Sequence, residues 1–505
     1  FVQSLLKRNK MIIYTNEKDF KYELEKLCRI FLPFEKITFE HPVDCISGDN
    51  YAVIESADGR KRFNCTLKLD GRLQKRSKDL PLSADSDTAE LTAALLLFDC
   101  FTAVTGYTSP WGILTGVRPA KLMGRLISEM GQERALKYFK DTLLVSDSKT
   151  ELCLSCRIGE DHAVSLSRPD DFSLYISVPF CPSRCSYCSF VSHSVEQAKK
   201  LIPQYVKLLC EELRVTAEYA KRSGLSLRTV YIGGGTPTTL SPEQLTMVMD
   251  TVKDSFSLEG LLEYTVEAGR PDTVTAEKLA AIKSGGATRI SINPQTMNDS
   301  VLQKIGRRHT VQQMLDAYYL AREQGFDNIN TDLIAGLTGD TLESFKSTVD
   351  QIIDLSPENV TVHSLSMKRA SNLAALEGVF DSAASASVGD MVEYARSALC
   401  DAGIKPYYMY RQSKTVGNLE NVGYAKQSFE GLYNIYIMDE THSILACGAS
   451  AVTKLREPGG NYIERIFNYK YPYEYISRFE EVLRRKEGIL SFYEKYPADL
   501  SHNKD

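Results

Sequence analysis

Cys181, Cys185 and Cys188 stand in the segment LYISVPFCPSRCSYCSF, directly after a short apolar run. Their spacing puts three thiolates on one tight loop, and thiolates on a short loop suit soft metals and iron–sulfur clusters. A 4Fe–4S cube needs four ligands and this loop offers three. Unless a distant cysteine completes the set, one iron stays open to a small molecule, and an open coordination position separates a reactive metal centre from a structural one. Zinc usually brings paired C-x-x-C elements. Cys153 and Cys156 form a lone C-x-x-C with no second pair at suitable spacing, so that pair reads as incidental.

Other residues able to hold a ligand recur at the ends of later strand-like runs. TVYIGGGTP closes on Gly233, Gly234, Gly235 and Thr236. Glycines at a strand end let backbone approach a ligand closely, and their amides and carbonyls can hold a polar head group. Glu267 ends the next run, Gln295 the one after, Asp332 lies in the fifth, and Arg307 follows the fourth on a short helical turn. A carboxylate for an ammonium, an arginine for a carboxylate and an acid for ribose hydroxyls would together fit one zwitterionic nucleoside.

These positions need a scaffold that brings successive strand ends together. SLYISVPF, TVYIGGGTP, EYTVEAG, RISINPQ, NINTDLIAGL and NVTVHSLSM alternate with helical stretches over 196–221, 242–256, 276–283, 311–324 and 342–355. That rhythm predicts right-handed βαβ units and a parallel sheet. Six units without an obvious seventh predict an open, partial (β/α)6 barrel over residues 169–370, with chemistry at the carboxyl ends of its strands. The fold class is therefore α/β, with an N-terminal α+β domain over 11–168 and a smaller C-terminal α+β domain over 371–505. Residues 1–10 precede Met11 and are set aside as upstream sequence. In the N-terminal part, strands are expected at MIIYTN, Tyr51–Glu55 and Phe63–Leu69, with helices over 18–31 and 88–104. Arg118 and Lys121 open a further helix after Trp111; a surface cap or domain contact is favoured there over an anion site. In the C-terminal part, KPYYMYRQSK and YNIYIMDETHSILACGASAVTKL read as strands, the latter a hairpin around Glu440–Ser443, and a closing helix is expected over 473–486.

Composition bounds the class. The 505 residues are 43% hydrophobic and 25% charged, ordinary for a soluble globular protein, and the formal net charge of −5 argues against a general nucleic-acid-binding surface. No run is expected to span a membrane, and the opening lacks a signal-peptide pattern. Twelve cysteines are too sparse for a disulfide scaffold, so a reducing cytoplasm is the expected location.

With these residues in view, the chain resembles the radical S-adenosylmethionine superfamily: C-x-x-x-C-x-x-C follows one strand, GGTP follows the next, and the βα pattern has six units. YIGGGTPT, VEAGRPD, RISINPQTMND and NINTDLIAGL resemble the oxygen-independent coproporphyrinogen III oxidase group. PWGILTGVRPAKL, VHSLSMKRAS, YYMYRQ, NLENVGYA and YNIYIMDETHSI resemble its coproporphyrinogen dehydrogenase branch in firmicutes. The resemblance implies two cofactors, a 4Fe–4S cluster on Cys181, Cys185 and Cys188 and S-adenosyl-L-methionine on its open iron. Tyr175 would lie against that unit, Gly234, Gly235 and Thr236 would contact the methionine moiety, and Glu267 and Arg307 would sit near its polar ends. Gln295 and Asp332 would hold the ribose hydroxyls, Ile334 would pack by the adenine, and His363 occupies a position aromatic in relatives. No protein side chain is expected to be catalytic beyond the cluster-bound cofactor.

The implied enzyme is an oxidoreductase of porphyrin and haem biosynthesis. One electron, from reduced flavodoxin or ferredoxin, breaks the C5′–S bond, and the 5′-deoxyadenosyl radical abstracts a β-hydrogen from a propionate of coproporphyrinogen III. Loss of carbon dioxide and a further electron leaves a vinyl group, giving protoporphyrinogen IX. A tetrapyrrole with four propionates should meet cations, for which Arg308, Lys368, Arg369 and Arg411 are candidates. One departure bears on the substrate: well-studied oxidases carry a fourth cysteine where this chain has Phe190. Related haem chaperones also lack it. A haem-binding chaperone, or an anaerobic haem-modifying methyltransferase, therefore stands as the alternative to the oxidase.

Overall fold

The computed structural model describes residues 10–497 except 18, 34, 42–45, 47, 58–61, 82, 189–192, 367–381 and 413–414, and the backbone alone at 382–386. Two compact units emerge: Phe1–Leu154 with Ala374–Gly389 and Arg411–Glu420, and Ser155–Leu373 with Asp390–Tyr410 and Asn421–Asp505.

The first unit holds a five-stranded sheet in the order Lys36–Glu40, Lys10–Thr15, Asn50–Ala57, Arg62–Leu69, Arg72–Asp79. The first three strands are parallel and the last three antiparallel. Buried Phe63, Cys65, Leu67 and Leu69 alternate with more exposed residues, the period of a half-buried strand. The helix Ser86–Thr105 starts where Asp85 accepts the Thr88 amide and ends at left-handed Gly106. Its Phe101 stacks on Phe31 with ring centroids 4.7 Å apart. This 20-residue helix has the length and apolar composition to cross a membrane, alone in that among the described residues. However, 56% of its apolar window is buried inside the protein, as in a core helix that is apolar all round.

In the second unit six strands lie side by side in chain order: β1 (Asp171–Val178), β2 (Ser226–Gly234), β3 (Glu263–Glu267), β4 (Arg289–Ser291), β5 (Ile329–Ala335) and β6 (Asn359–Ser364). All five pairings are parallel. The connecting helices are α1 (Ile202–Arg222), α2 (Pro242–Ser255), α3 (Ala276–Ser284), α4 (Val311–Glu323) and α5 (Leu342–Leu355). Because the strand order never reverses, right-handed crossovers place every helix on one face of the sheet. This is the partial, open six-unit barrel that the alternation predicts.

The two faces of the sheet differ in chemistry. Leu174, Ile176, Val230, Ile232, Val266, Ile290, Leu333, Val360 and Val362 are buried apolar residues. Alternating with them are Ser173, Tyr175, Thr229, Tyr231, Thr265, Glu267, Ser291, Asn330, Asp332, Thr361 and His363. Strand side chains alternate between faces, so one face packs on the helices and the other is polar. Hydrogen bonds run along the polar face from Thr229 to Ser173 (2.7 Å), Asn330 to Asp332 (2.8 Å) and Thr361 to Asn330 (3.1 Å).

The sheet continues beyond the barrel into the C-terminal part of the chain. β7 (Lys405–Arg411), β8 (Glu420–Ala425), β9 (Ser443–Cys447), β10 (Val452–Arg456) and β11 (Ile463–Phe467) join the barrel strands in one eleven-stranded sheet. β8 lies antiparallel to β6 and β9 parallel to β1, so both edges of the barrel find partners for their backbone groups. The expected strand at YNIYIMD is instead the helix α6 (Leu432–Asp439), and no hairpin forms around 440–443. A short apolar run does not distinguish strand from buried helix. The deciding partner is Glu263 at the start of β3, whose carboxylate accepts the Leu432 amide at 2.7 Å and the Tyr433 amide at 3.3 Å, satisfying the first orphan donors of α6. The expected closing helix divides into Pro472–Ser477 and Phe479–Lys486, with Gly488–Lys495 following.

Candidate functional site

β1 runs into the cysteine loop. Phe180–Cys181 pairs with His193–Ser194, and the Cys188 amide donates to the Cys185 carbonyl at 3.2 Å. The Ser186 amide donates to the Ile305 carbonyl at 3.0 Å and the Ser183 hydroxyl to the Gly306 carbonyl at 3.3 Å, fixing the loop to the segment after β4. Cys185 is buried and the other two are half-buried. Two donors from neighbouring strand ends reach the sulfurs: the Thr236 hydroxyl lies 3.6 Å from Cys181 Sγ, and Arg270 Nη1 lies 3.7 Å from Cys185 Sγ. The same guanidinium grips Asp272 through two bonds of 2.8 and 2.9 Å and reaches Ser183 at 3.3 Å. Hydrogen bonds onto cysteine sulfur favour the thiolate and tune a cluster held by it, so the donor set fits an iron–sulfur group. Among the described residues, no three His, Cys, Asp or Glu side chains form a set able to hold a single metal ion. A cube presents its irons at separate corners and makes no such demand.

Beside the loop, the glycine run brings backbone against backbone. The Gly235 amide donates to the Val178 carbonyl at 2.8 Å, and a Cβ on Gly235 would stand 2.6 Å from the Phe180 carbonyl oxygen. Gly234 has φ +112, where a side chain is strained. Glycine at both positions lets the end of β2 nest under the cysteine loop, and Thr236, buried behind it, meets Cys181.

Three tyrosines stack at the mouth of the sheet. Tyr175 lies 6.2 Å from both Tyr231 and Tyr433, and the last two are 4.5 Å apart with near-parallel rings. The Tyr231 hydroxyl donates to Glu267 Oε1 at 2.6 Å. Burial pushes the Glu267 carboxyl up to about 7, with the Asp332 charge adding to the effect and the Tyr231 bond opposing it.

The next corner joins β4 to β5. Gln295 sits at φ +69, left-handed for a residue with a side chain. Two bonds pin it there: its amide donates to the Asp332 carbonyl at 2.9 Å, and its carbonyl accepts the Ile334 amide at 3.0 Å. Asp332 accepts Asn293 Nδ2 on one oxygen at 2.7 Å and Asn330 Nδ2 on the other at 2.8 Å. Burial pushes the Asp332 carboxyl up, but His363, Asn330 and Thr361 outweigh it and hold it below the usual range. His363 stands 3.9 Å from Asp332 and 3.3 Å from Asn421 Oδ1. Ile334 is buried beside this row.

The structure thus brings Tyr175, Gly234, Gly235, Thr236, Glu267, Gln295, Asp332, Ile334 and His363 to successive carboxyl ends of one sheet. Arg307 differs from expectation. Its Nη atoms donate to the carbonyls of Asn293 (2.6 Å), Pro294 (3.3 Å) and Gly269 (2.9 Å), so it braces the ends of β3 and β4. Arg411 is a correction: it is buried in the first unit, donates to the carbonyls of Leu114 (2.5 Å) and Asn418 (3.2 Å), and lies 5.1 Å over the Trp111 ring. Those bonds occupy both of its Nη atoms, and burial pulls its pKa down to about 10. Arg308 is exposed and lines a cleft together with Ser183 and Arg184 of the cysteine loop. Lys368, Arg369 and Phe190 lie outside the described residues. Sequence reasoning missed Arg270, Tyr231, Tyr433, Asn293 and Asn330. The signal available for two of them was the alternation of polar residues within β2 and β5, since a parallel sheet covered on both faces reads as continuous apolar runs.

The profile of the radical SAM superfamily matches residues 175–352, which run from β1 to α5 and include the strand-end groups from Tyr175 to Ile334 but not His363. The chain is 38% identical over 403 residues to the oxygen-independent coproporphyrinogen-III oxidase-like protein HemZ of Bacillus subtilis, covering 79% of this chain and 80% of that one. It belongs to the radical SAM superfamily, in the coproporphyrinogen III oxidase-like group. As a radical SAM protein it takes a 4Fe–4S cluster and S-adenosylmethionine. The group is not uniform in function. The haem chaperone HemW of Lactococcus lactis is 31% identical over 341 residues, covering 64% of this radical SAM chain and 84% of the chaperone. A solved structure of coproporphyrinogen III oxidase (HemN) from Escherichia coli is 21% identical, covers 65% of this chain and 73% of that one, and superposes with a TM-score of 0.49.

Proposed function

We propose that this chain is an enzyme that oxidatively decarboxylates two propionates of coproporphyrinogen III to vinyl groups, giving protoporphyrinogen IX without oxygen. Cluster and S-adenosylmethionine, when bound, supply a carbon radical able to take hydrogen from an unactivated carbon. The observation that carries the radical part is the pair of donors, Arg270 and Thr236, on the sulfurs of a three-cysteine loop that opens onto the strand-end row. The substrate part is supported by the long match to a coproporphyrinogen-III oxidase-like protein, which extends well beyond the barrel.

In this reading Cys181, Cys185 and Cys188 hold the cluster. Glu267 receives the amino group of the methionine moiety, while the backbone of Gly234 and Gly235 lies along it and Tyr175 walls it. Asp332 uses two of its roughly four lone-pair sites on Asn293 and Asn330, which leaves acceptors for the ribose hydroxyls. Gln295, held in its left-handed conformation, presents its side-chain amide to the same sugar, and Ile334 and His363 flank the base. Arg307 acts at one remove by fixing the ends of β3 and β4. Holding the target carbon still and keeping water out is the remaining task of the protein. Reduced flavodoxin or ferredoxin supplies the electron that cleaves the C5′–S bond, and a separate electron acceptor takes the one released with carbon dioxide.

A haem chaperone is the second reading, favoured by the HemW relatives. Anaerobic reconstitution followed by incubation with coproporphyrinogen III, S-adenosylmethionine, reductant and an electron acceptor separates the two. The expected product shows the mass loss of two oxidative decarboxylations. Unchanged substrate together with tight haem binding would assign the chain to the chaperones.

A further inference from the structure

A cleft of about 820 Å³ opens beside the cysteine loop. Ser183 and Arg184 of the loop line it, as do Arg307, Arg308 and His309 from the segment after β4. Only one side chain separates it from a cluster ligand: Arg270 bonds Ser183 Oγ at 3.3 Å and reaches Cys185 Sγ at 3.7 Å. One buried group in its lining, Arg307, 6% exposed, has no hydrogen bond on Nε among the described residues. Buried polar atoms are normally paired, so this donor is open to a further acceptor. Charge gives its sign. Three arginines face two carboxylates, Glu196 and Asp299, and Asp299 already accepts the Val311 amide at 2.8 Å. Exposed Lys199 and Lys200 follow Glu196 in the chain. This rim is cationic on a chain of net charge −5.

We propose that the cleft is the docking surface for an acidic one-electron carrier protein, which gives its electron to the cluster through the Ser183–Arg270–Cys185 contact. The carrier loses one electron and the cluster gains it; no bond forms or breaks. The inference rests on the cluster reading above and goes further by placing the partner.

The test is stopped-flow reduction of the reconstituted full chain by reduced flavodoxin, with dithionite as a small reductant in parallel. Arg308→Glu should lower the second-order rate with flavodoxin about tenfold at low ionic strength, with the gap closing as salt rises. Dithionite should reduce both proteins alike. Equal flavodoxin rates for the two proteins, or a wild-type rate indifferent to salt, would overturn the docking site. So would a raised KM for the tetrapyrrole in dithionite-driven turnover, which would give the cleft to substrate carboxylates. Lys199→Glu is the second variant should Arg308→Glu lose its cluster. Failure of the wild-type chain to take up iron would instead overturn the cluster reading itself.

Discussion

Tyr231 and Glu267 face each other across β2 and β3 with hydroxyl and carboxylate oxygens 2.6 Å apart, beneath the stacked ring of Tyr433. The carboxyl is thereby poised near neutrality, at about 7, because burial penalises its charge more than the hydroxyl relieves it. A ligand ammonium needs the ionised form. Below pH 7 binding must first remove a proton, so affinity for S-adenosylmethionine should fall towards tenfold per pH unit, and be independent of this group above pH 8. Isothermal titration at pH 6, 7 and 8 checks this. Glu267→Gln should bind more weakly at pH 8 and lose the dependence; a wild-type affinity flat across that range would remove Glu267 from the ammonium.

In the proposed reading Arg270 acts on the cluster through the sulfur of Cys185. Removing a cationic donor from a cluster sulfur makes the reduced form harder to reach. Arg270→Gln should therefore lower the reduction potential by an amount on the order of tens of millivolts. Iron content should stay near four per chain. A potentiometric titration followed by electron paramagnetic resonance reads the shift, and an unchanged potential would confine Arg270 to bracing Ser183.

Gln295 allows backbone and side chain to be tested apart. At φ +69 a side chain costs on the order of 1 kcal/mol relative to glycine. Gln295→Gly should be about that much more stable than Gln295→Ala, yet both should weaken S-adenosylmethionine binding equally. If only the alanine variant binds poorly, the position serves the turn and not the ribose.

In the first unit, Lys149 Nζ lies 2.6 Å from Glu420 Oε1, while Trp111 Nε1 donates to Oε2 at 2.7 Å, all three being buried. Glu420→Ala leaves a buried ammonium without its counter-ion and should destabilise this unit by roughly 3–5 kcal/mol. Burial pushes the Glu420 carboxyl up, but Lys149 and Trp111 outweigh it and hold it below the ordinary value. Its contribution is thus present above about pH 4.5 and is lost as pH falls further. Trp111 is the chain's one tryptophan, so its fluorescence reports denaturant unfolding of this unit directly.

What the sequence made legible was the part set by local pattern. Cys181 to Cys188, the glycine run and the alternation of strand and helix are short-range signals, and six parallel strands follow from them. The places where reading failed depend on distant partners. YNIYIMD became a helix because Glu263, some 170 residues earlier, caps its start. Arg411 looked like a free cation until Trp111 and the carbonyls of Leu114 and Asn418 closed around it. Arg307 carries the right charge in the expected place, yet neighbouring strand ends claim its Nη donors. Nothing in a single sequence marks which cations the fold will use for itself.

The strand that carries the cysteine loop has neighbours from very different parts of the chain: β2 begins about 50 residues after β1, whereas β9 arrives about 270 residues after it. During synthesis at about 5–20 residues per second, one edge of β1 therefore stays unpaired for roughly 10–45 s after its other edge is covered. The loop emerges into the cell tethered to half a sheet. That interval is an opening for cluster insertion before the barrel edge seals. It is equally a period of exposure to oxidants and to a second strand edge. A chain truncated before Ser443 would remain in that state, with all three thiols in place and the strand beneath them unguarded on one side.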